Sequence, residues 1–142
     1  MDADGIAYVL GDHSLSGASP NGWARKVAAA AETWGADRVI AEKNNGGDMV
    51  GSTLAGVAPG LPVRLVSASR GKVARAEPIA SRFEAKQAKL AGRFPELEDE
   101  LCGMIVGGGY EGPGESPDRA DAMVWAMTEL FKPRLAPQVR GL

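Results

Sequence analysis

The stretch ADRVIAEKNNGGDMV, residues 36–50, decides the fold prediction. Its apolar run, residues 39–41, predicts a short buried strand that ends at Glu42. A polar, glycine-containing loop follows, and the apolar residues from Met49 onward predict a helix that Pro59 and Gly60 close. A strand, a loop and a helix in this order are typical of one unit of an α/β layer.

The segments on both sides repeat this alternation. Apolar and polar residues alternate in residues 6–15, which predicts a strand before the decisive stretch. Ser19 as N-cap, Pro20 in the first turn and Gly35 as the stop predict a helix between these two strands. Residues 62–68 predict a third strand. Strands that alternate with helices predict an α/β fold whose neighbouring strands are parallel.

The second half of the chain is predicted to be mainly helical. A helix is expected over residues 72–84, and residues 86–92 fit either the tail of that helix or a short hairpin. Residues 94–105 are amphipathic, with Cys102 expected on the apolar side as a core thiol.

A final helix is predicted over residues 117–131, with Ser116 as its N-cap. We expect one domain over residues 1–131 and a C-terminal tail over residues 132–142, which contains two prolines and three basic residues.

The composition excludes several kinds of chemistry. The 142 residues include one Cys (Cys102) and one His (His13), so one chain cannot build a Cys₄, Cys₂His₂ or His₃ zinc site or an internal disulfide. A net charge of −2 argues weakly against a general nucleic-acid binder, although a local basic patch can coexist with it. No apolar stretch is long enough for a membrane span, so we expect no membrane association and a cytoplasmic location.

Three carboxylates are the candidate functional residues. Glu42 ends a predicted strand, and ligands of open α/β sheets bind beyond the carboxyl ends of strands; the alternative is a surface glutamate that starts a loop. Asp118 and Asp121 lie three residues apart at the start of the last helix, hence on one face. Asp118 could simply complement the helix dipole. Asp121 leads into the uncharged run 122–127, where a carboxylate needs a partner or a metal.

Carboxylates from two elements suit a hard divalent cation, which prefers oxygen ligands. Two such ions roughly 4 Å apart can align an attacking water and a leaving oxygen on a phosphodiester. Arg64, Arg70, Lys72 and Arg75 make the segment after the third strand basic, so it could hold phosphates. The alternative is a solvated helix start.

Several stretches together resemble one family. In chain order they are YVLGDHSLSGASPNGWARKV, ADRVIAEKNNGGDMV, SRGKVARAEPIASRFE, FPELEDELC and SPDRADAMVWAMTEL, within residues 6–131. This order resembles the C-terminal nuclease domain of the large terminase subunit of tailed phages and prophages. The stretch DRADAMVWA is also similar to the last helix of Holliday-junction resolvases of the same superfamily.

The resemblance implies an RNase H-like mixed sheet flanked by helices, and cleavage of double-stranded DNA with two Mg²⁺ or Mn²⁺ ions during genome packaging. Glu42 then matches the acid at a strand end, and Asp118 and Asp121 match the acids of the last helix. All three would be catalytic metal ligands. Lys72 and Arg75 match a basic motif that contacts DNA or the neighbouring ATPase domain.

Arg70 and Asn44 are further DNA-binding candidates on the same comparison, with Asn44, Gly46 and Gly47 in the turn after the glutamate. The implied partners are double-stranded DNA, the terminase ATPase domain, the small terminase subunit and the portal, in the cytoplasm of a bacterial host. Two alternatives stay open: a non-catalytic prophage remnant or docking module, and a nuclease similar to junction resolvases.

One departure from the family pattern affects the expected activity. The central strand that carries the first catalytic Asp, and its hairpin partner, would precede residue 1. We therefore expect weak or absent nuclease activity and poor metal affinity. We also expect either that the first strand here packs beside the strand ending at Glu42, or that two chains complete one another's sheet in a homodimer.

Overall fold

Four short strands and five helices make up the computed structural model, which describes residues 1–43, 49–105 and 107–133. In chain order the elements are β1 (Ala7–Val9), α1 (Pro20–Trp34), β2 (Val39–Glu42), α2 (Met49–Val57), β3 (Val63–Val66), α3 (Lys72–Glu84), β4 (Ala88–Leu90), α4 (Pro95–Cys102) and α5 (Asp118–Leu130). The predicted α/β class is confirmed. The proposed tail, residues 132–142, stays a prediction, because residues 134–142 lie outside the described ranges.

The strands form two separate parallel pairs. β2 pairs with β3, which places Glu42 opposite Val66 at the carboxyl end of both strands. β1 pairs with β4 instead of β2, with Ala7 opposite Ala88. The expectation that β1 lies beside the strand ending at Glu42 is therefore wrong for the residues described here. A register between strands so far apart in the chain leaves no local signal in the sequence.

The predicted ends of α1 are confirmed. The Ser19 hydroxyl accepts a hydrogen bond from the backbone N–H of Gly22 at 3.2 Å, as an N-cap does. Gly35 adopts the left-handed conformation, with φ of 58°, and its N–H bonds back to carbonyls of the last helical turn. Glycine reaches this conformation at low steric cost, which explains why the helix ends there.

Helix α5 is the centre of the packing. It packs against α3 and α4 and also contacts β1 and β2. Half of the buried cluster comes from this helix; its members are Ala7, Val9, Ile79, Leu97, Ala120, Met123, Val124 and Met127. The apolar side of α5 thus packs the helix against one strand of each pair, and Trp125 in the middle of the helix reaches the end of β2.

The start of α5 is capped by a residue from another helix. Pro117 occupies the N-cap position and offers no side-chain hydrogen bond, so the prediction of Ser116 as N-cap is wrong. Glu100 of α4, which is buried, accepts hydrogen bonds from the N–H groups of Arg119 and Ala120 at 2.8 and 3.0 Å. A buried carboxylate thereby satisfies two of the free N–H groups at the helix start and complements its dipole.

Two further expectations about the second half are corrected. Residues 88–90 form β4, parallel to β1, and neither a helix tail nor a hairpin. Cys102 is exposed at the last residue of α4, so it is not a core thiol. Helix α4 ends there, and the apolar packing comes instead from buried Leu97 and half-buried Leu101. In the parts of the chain described, no helix is long and apolar enough to cross a membrane.

Candidate acid site

Glu42 lies where the sequence predicts it, as the last residue of β2. Its side chain is 29% exposed, and its Oε2 atom accepts a hydrogen bond from the indole N–H of Trp125 at 3.0 Å. Because Trp125 belongs to α5, this bond joins the end of β2 to the helix that carries the two candidate aspartates. Glu42 is therefore part of an ordered polar site and not a freely solvated loop residue.

Asp121 is buried and has a partner, as the uncharged run after it indicates. Its side chain is 7% exposed, and both of its oxygens accept hydrogen bonds from Nη2 of Arg75, at 2.7 and 2.8 Å. Arg75 comes from the first turn of α3 and is itself 11% exposed. A carboxylate so far from water needs a compensating charge, and this guanidinium supplies it.

Arg75 also brings the two acids together. Its Nη2 atom lies 3.6 Å from Oε2 of Glu42, and its guanidinium stacks 5.0 Å from the centre of the Trp125 ring. Its Nη1 atom donates a hydrogen bond to the backbone carbonyl of Arg70. Glu42, Asp121, Arg75 and Trp125, which we call the acid site, form one connected cluster. Two carboxylates around one guanidinium leave one negative charge in excess.

Asp118 lies at the rim of the acid site, in a different pairing. Its side chain is 78% exposed, forms an ion pair with Lys72 and accepts a hydrogen bond from the Ser116 hydroxyl at 3.0 Å. The Lys72 ammonium also bonds the Ser116 hydroxyl at 2.6 Å. The hydrogen bond from Lys72 lowers the pKa of Asp118 below its ordinary value, because it favours the charged carboxylate.

The four basic residues grouped in the sequence separate in space. Lys72 and Arg75 lie beside Asp118 and Asp121, and Arg70 is exposed just before α3. Arg64 points elsewhere, to Glu129 near the other end of α5. The structure therefore brings Lys72 and Arg75 to the acids and leaves Arg64 out. Asn44, Gly46 and Gly47 lie outside the described residues.

Sequence reasoning missed Trp125 as a member of this region, and it missed the acid partners of Ser116 and Arg75. Trp125 lies one helical turn after Asp121, so the i, i+4 spacing could have placed both side chains on one face. Ser116 was read as a cap, although a hydroxyl two residues before an aspartate can also bond its side chain. Arg75 was read as a DNA contact. Nothing in its local sequence shows that its partner is 46 residues away.

The donor types suit the divalent cations that the resemblance implies, but their arrangement does not. Arg75 binds both oxygens of Asp121, while Lys72 and Ser116 bind Asp118. Among residues 1–43, 49–105 and 107–133, no group of three or more His, Cys, Asp or Glu side chains could hold a metal ion. A cationic side chain fills the place that a metal ion would need.

Comparison with known proteins agrees with the resemblance seen in the sequence. The model of the family described as the terminase RNaseH-like domain matches residues 1–130. No curated protein and no solved structure matches the chain. The match covers all of the described elements, including β2 and α5, which carry the acid site. The chain therefore belongs to the terminase RNase H-like domain family, whose members are of the nuclease type.

Proposed function

We propose that this chain contacts double-stranded DNA as the RNase H-like domain of a genome-packaging terminase, and that by itself it cleaves DNA weakly or not at all. Family membership supports the terminase role. The half-buried Lys72 and the exposed Arg70, at the rim of the acid site, are the side chains that would contact phosphates.

A single observation carries the second half of the proposal. The Arg75 guanidinium contacts both Glu42 and Asp121, so it holds the two acids in place and compensates one of their two negative charges. A divalent cation at this position would have to displace a buried bidentate ion pair, which is costly in a site of low solvent access. We therefore expect low affinity for Mg²⁺ and Mn²⁺, and correspondingly low cleavage.

Cleavage of double-stranded DNA by two metal ions during packaging is the activity that the resemblance implies, with Glu42, Asp118 and Asp121 as ligands. In the present arrangement these three side chains are bound by Arg75, Trp125, Lys72 and Ser116. This favours the non-catalytic alternative for the chain as it stands. What links the chain to nuclease-type domains is its family membership over residues 1–130.

The partners follow from the terminase role. They are double-stranded DNA and, in the packaging machinery, the ATPase domain, the small terminase subunit and the portal, in the cytoplasm of the bacterial host. A homodimer in which two chains complete one another's sheet belongs to the same proposal. Light scattering tests the dimer directly, and a monomer over the micromolar range would exclude it.

The test of the function is cleavage of supercoiled plasmid by the full chain with Mg²⁺ or Mn²⁺, beside an Asp121→Asn variant. We expect the wild type to show no more nicking than the variant, while both retard duplex DNA in a gel. Robust Mn²⁺-dependent turnover that Asp121→Asn abolishes would contradict the proposal. Preferential cleavage of a four-way junction would favour the resolvase-like alternative instead.

A further inference from the structure

Three basic side chains converge on one carboxylate near the C-terminal end of α5. Oε1 of Glu129 lies 2.8 Å from Nη1 of Arg38 and 2.6 Å from Nη1 of Arg64. Oε2 of the same residue lies 2.7 Å from Nζ of Lys132. We call Arg38, Arg64, Lys132 and Glu129 the basic cluster.

The charges of this cluster do not balance. One carboxylate faces three cations, so two positive charges are in excess, and the pKa of Glu129 is lowered to about 2, chiefly by its hydrogen bond from Lys132. The cations and the carboxylate also differ in how far their side chains are exposed. The side chains of Arg38, Arg64 and Lys132 are 53%, 47% and 42% exposed, whereas Glu129 is 15% exposed. The three cationic side chains are therefore much more exposed to solvent than the carboxylate is.

A purely structural role does not account for this arrangement. Exposed ion pairs contribute little to the free energy of unfolding, because water screens them and two side chains must be held in place. A second and a third cation on the same carboxylate repel one another, so each adds less than the first. What the arrangement does achieve is to hold three exposed cations close together and oriented, as a site for an external anion requires.

The basic cluster lies at the opposite end of the elements that carry the acid site. Arg38 directly precedes β2, which ends at Glu42, and Glu129 lies about two turns after Asp121 on α5. At 1.5 Å per residue, Glu129 and Asp121 are separated by roughly 12 Å along the helix axis. This separation is comparable to the ~12 Å width of the major groove of B-form DNA.

We propose that Arg38, Arg64 and Lys132 form a second contact surface for the phosphate backbone of double-stranded DNA. Two guanidinium groups and an ammonium group held together match closely spaced phosphate oxygens, and Arg can bind a phosphate through two N–H groups at once. The inference rests on the proposed function for the identity of the polyanion. The position and charge of the surface come from the residues themselves.

The test measures fluorescence anisotropy of a labelled 20-base-pair duplex with the full chain, in EDTA so that cleavage plays no part. An Arg38→Gln/Arg64→Gln double variant should lose affinity at least about tenfold at 50 mM salt. The slope of log K against log salt should fall by about 1.8, because two phosphate contacts are removed. Arg93→Gln, at an exposed arginine outside the cluster, should leave both quantities unchanged.

Glu129→Gln gives a result of opposite sign. Removal of the carboxylate raises the net charge of the surface, so DNA should bind more tightly. A merely structural cluster would lose stability without any gain in affinity. An Arg38→Lys/Arg64→Lys variant keeps both charges and should keep the salt slope, which separates lost contacts from misfolding.

Unchanged affinity and slope in the double Gln variant, while the wild type binds the duplex, would overturn this inference alone. Failure of the wild type to bind any duplex would overturn the proposed function as well. Poly-glutamate is the comparison ligand. If the double variant lost affinity only for poly-glutamate, the surface would belong to an acidic protein partner, and the DNA proposal would be wrong.

Discussion

Arg75 donates hydrogen bonds to both carboxylate oxygens of Asp121, across 46 residues of sequence, and both side chains are almost fully removed from solvent. This pair ties the first turn of α3 to the first turn of α5. The same Nη2 atom lies 3.6 Å from Glu42, so one guanidinium organises both acids. Arg75 is thus a built-in counter-charge for Glu42 and Asp121.

The loss of Arg75 should lower the free energy of unfolding. Arg75→Gln leaves the buried Asp121 carboxylate without its counter-charge, which should cost about 3 kcal/mol of unfolding free energy. Urea denaturation at pH 7 measures it. Arg93→Gln, an exposed arginine, should stay within about 0.5 kcal/mol of the wild type. Equal midpoints for the two variants would show that the Arg75 pair contributes nothing beyond a surface contact.

The loss of Lys72 should affect DNA binding more than stability. Its ion pair with Asp118 is at the rim, where the carboxylate is 78% exposed, so Lys72→Gln should lower stability by less than about 1 kcal/mol. Because the ammonium can reach phosphates, duplex binding should weaken and its salt slope should fall by about 0.9. Anisotropy and urea denaturation on one preparation check both expectations. A large stability loss with unchanged DNA binding would assign Lys72 a structural role.

The carboxylate of Glu100 should be required for the start of α5. Glu100→Ala removes the acceptor for the N–H groups of Arg119 and Ala120 and should cost about 2 kcal/mol. Asp99→Ala is the matched control, because Asp99 is the exposed neighbour on α4. Urea midpoints compare the two. If Asp99→Ala is as destabilising as Glu100→Ala, the cost comes from α4 itself and not from the cap.

Glu129 should make the free energy of unfolding depend on pH in the acid range. Its pKa is lowered from 4.5 to about 2, first by Lys132 and then by Arg38 and Arg64, so the folded protein binds this proton more weakly than the unfolded chain. The stabilisation is complete above pH 4.5 and is lost as the pH falls toward 2. Glu129→Gln should flatten urea midpoints across that window, whereas Glu84→Gln, at an exposed site, should not. If the urea midpoints of the wild type and of Glu129→Gln fell in parallel with pH, Glu129 would not be the group responsible.

Local patterns predicted the elements better than their contacts. The apolar run before Glu42 gave the end of β2, and Ser19 with Gly35 gave the ends of α1, because those signals lie within a few residues. The Arg75–Asp121 pair and the Glu100 cap join residues 46 and about 20 positions apart. Such pairings depend on how the helices pack, so periodicity and capping rules do not contain them.

The same limit explains the errors in topology. A strand as short as Ala88–Leu90 has too few residues for a clear alternation, and its partner, β1, lies 81 residues earlier in the chain. For Asp121, the uncharged run that follows it indicated that the carboxylate needs a partner, and the role of the three acids as metal ligands stays a prediction. What the sequence could not show is that the partners of the acids are basic side chains of α3, together with Ser116 and Trp125.

The most direct test of the acid site is the melting temperature of the wild type and of Arg75→Gln with and without Mn²⁺. A ligand that binds only the folded state raises its stability, so the shift reports metal binding without any cleavage assay. With Arg75 in place, we expect 1 mM Mn²⁺ to leave the wild type unchanged. In Arg75→Gln the freed carboxylates should bind the ion, and Mn²⁺ should restore part of the lost stability. An equal Mn²⁺ shift in both proteins would show that Arg75 does not fill the acid site, and would contradict the account.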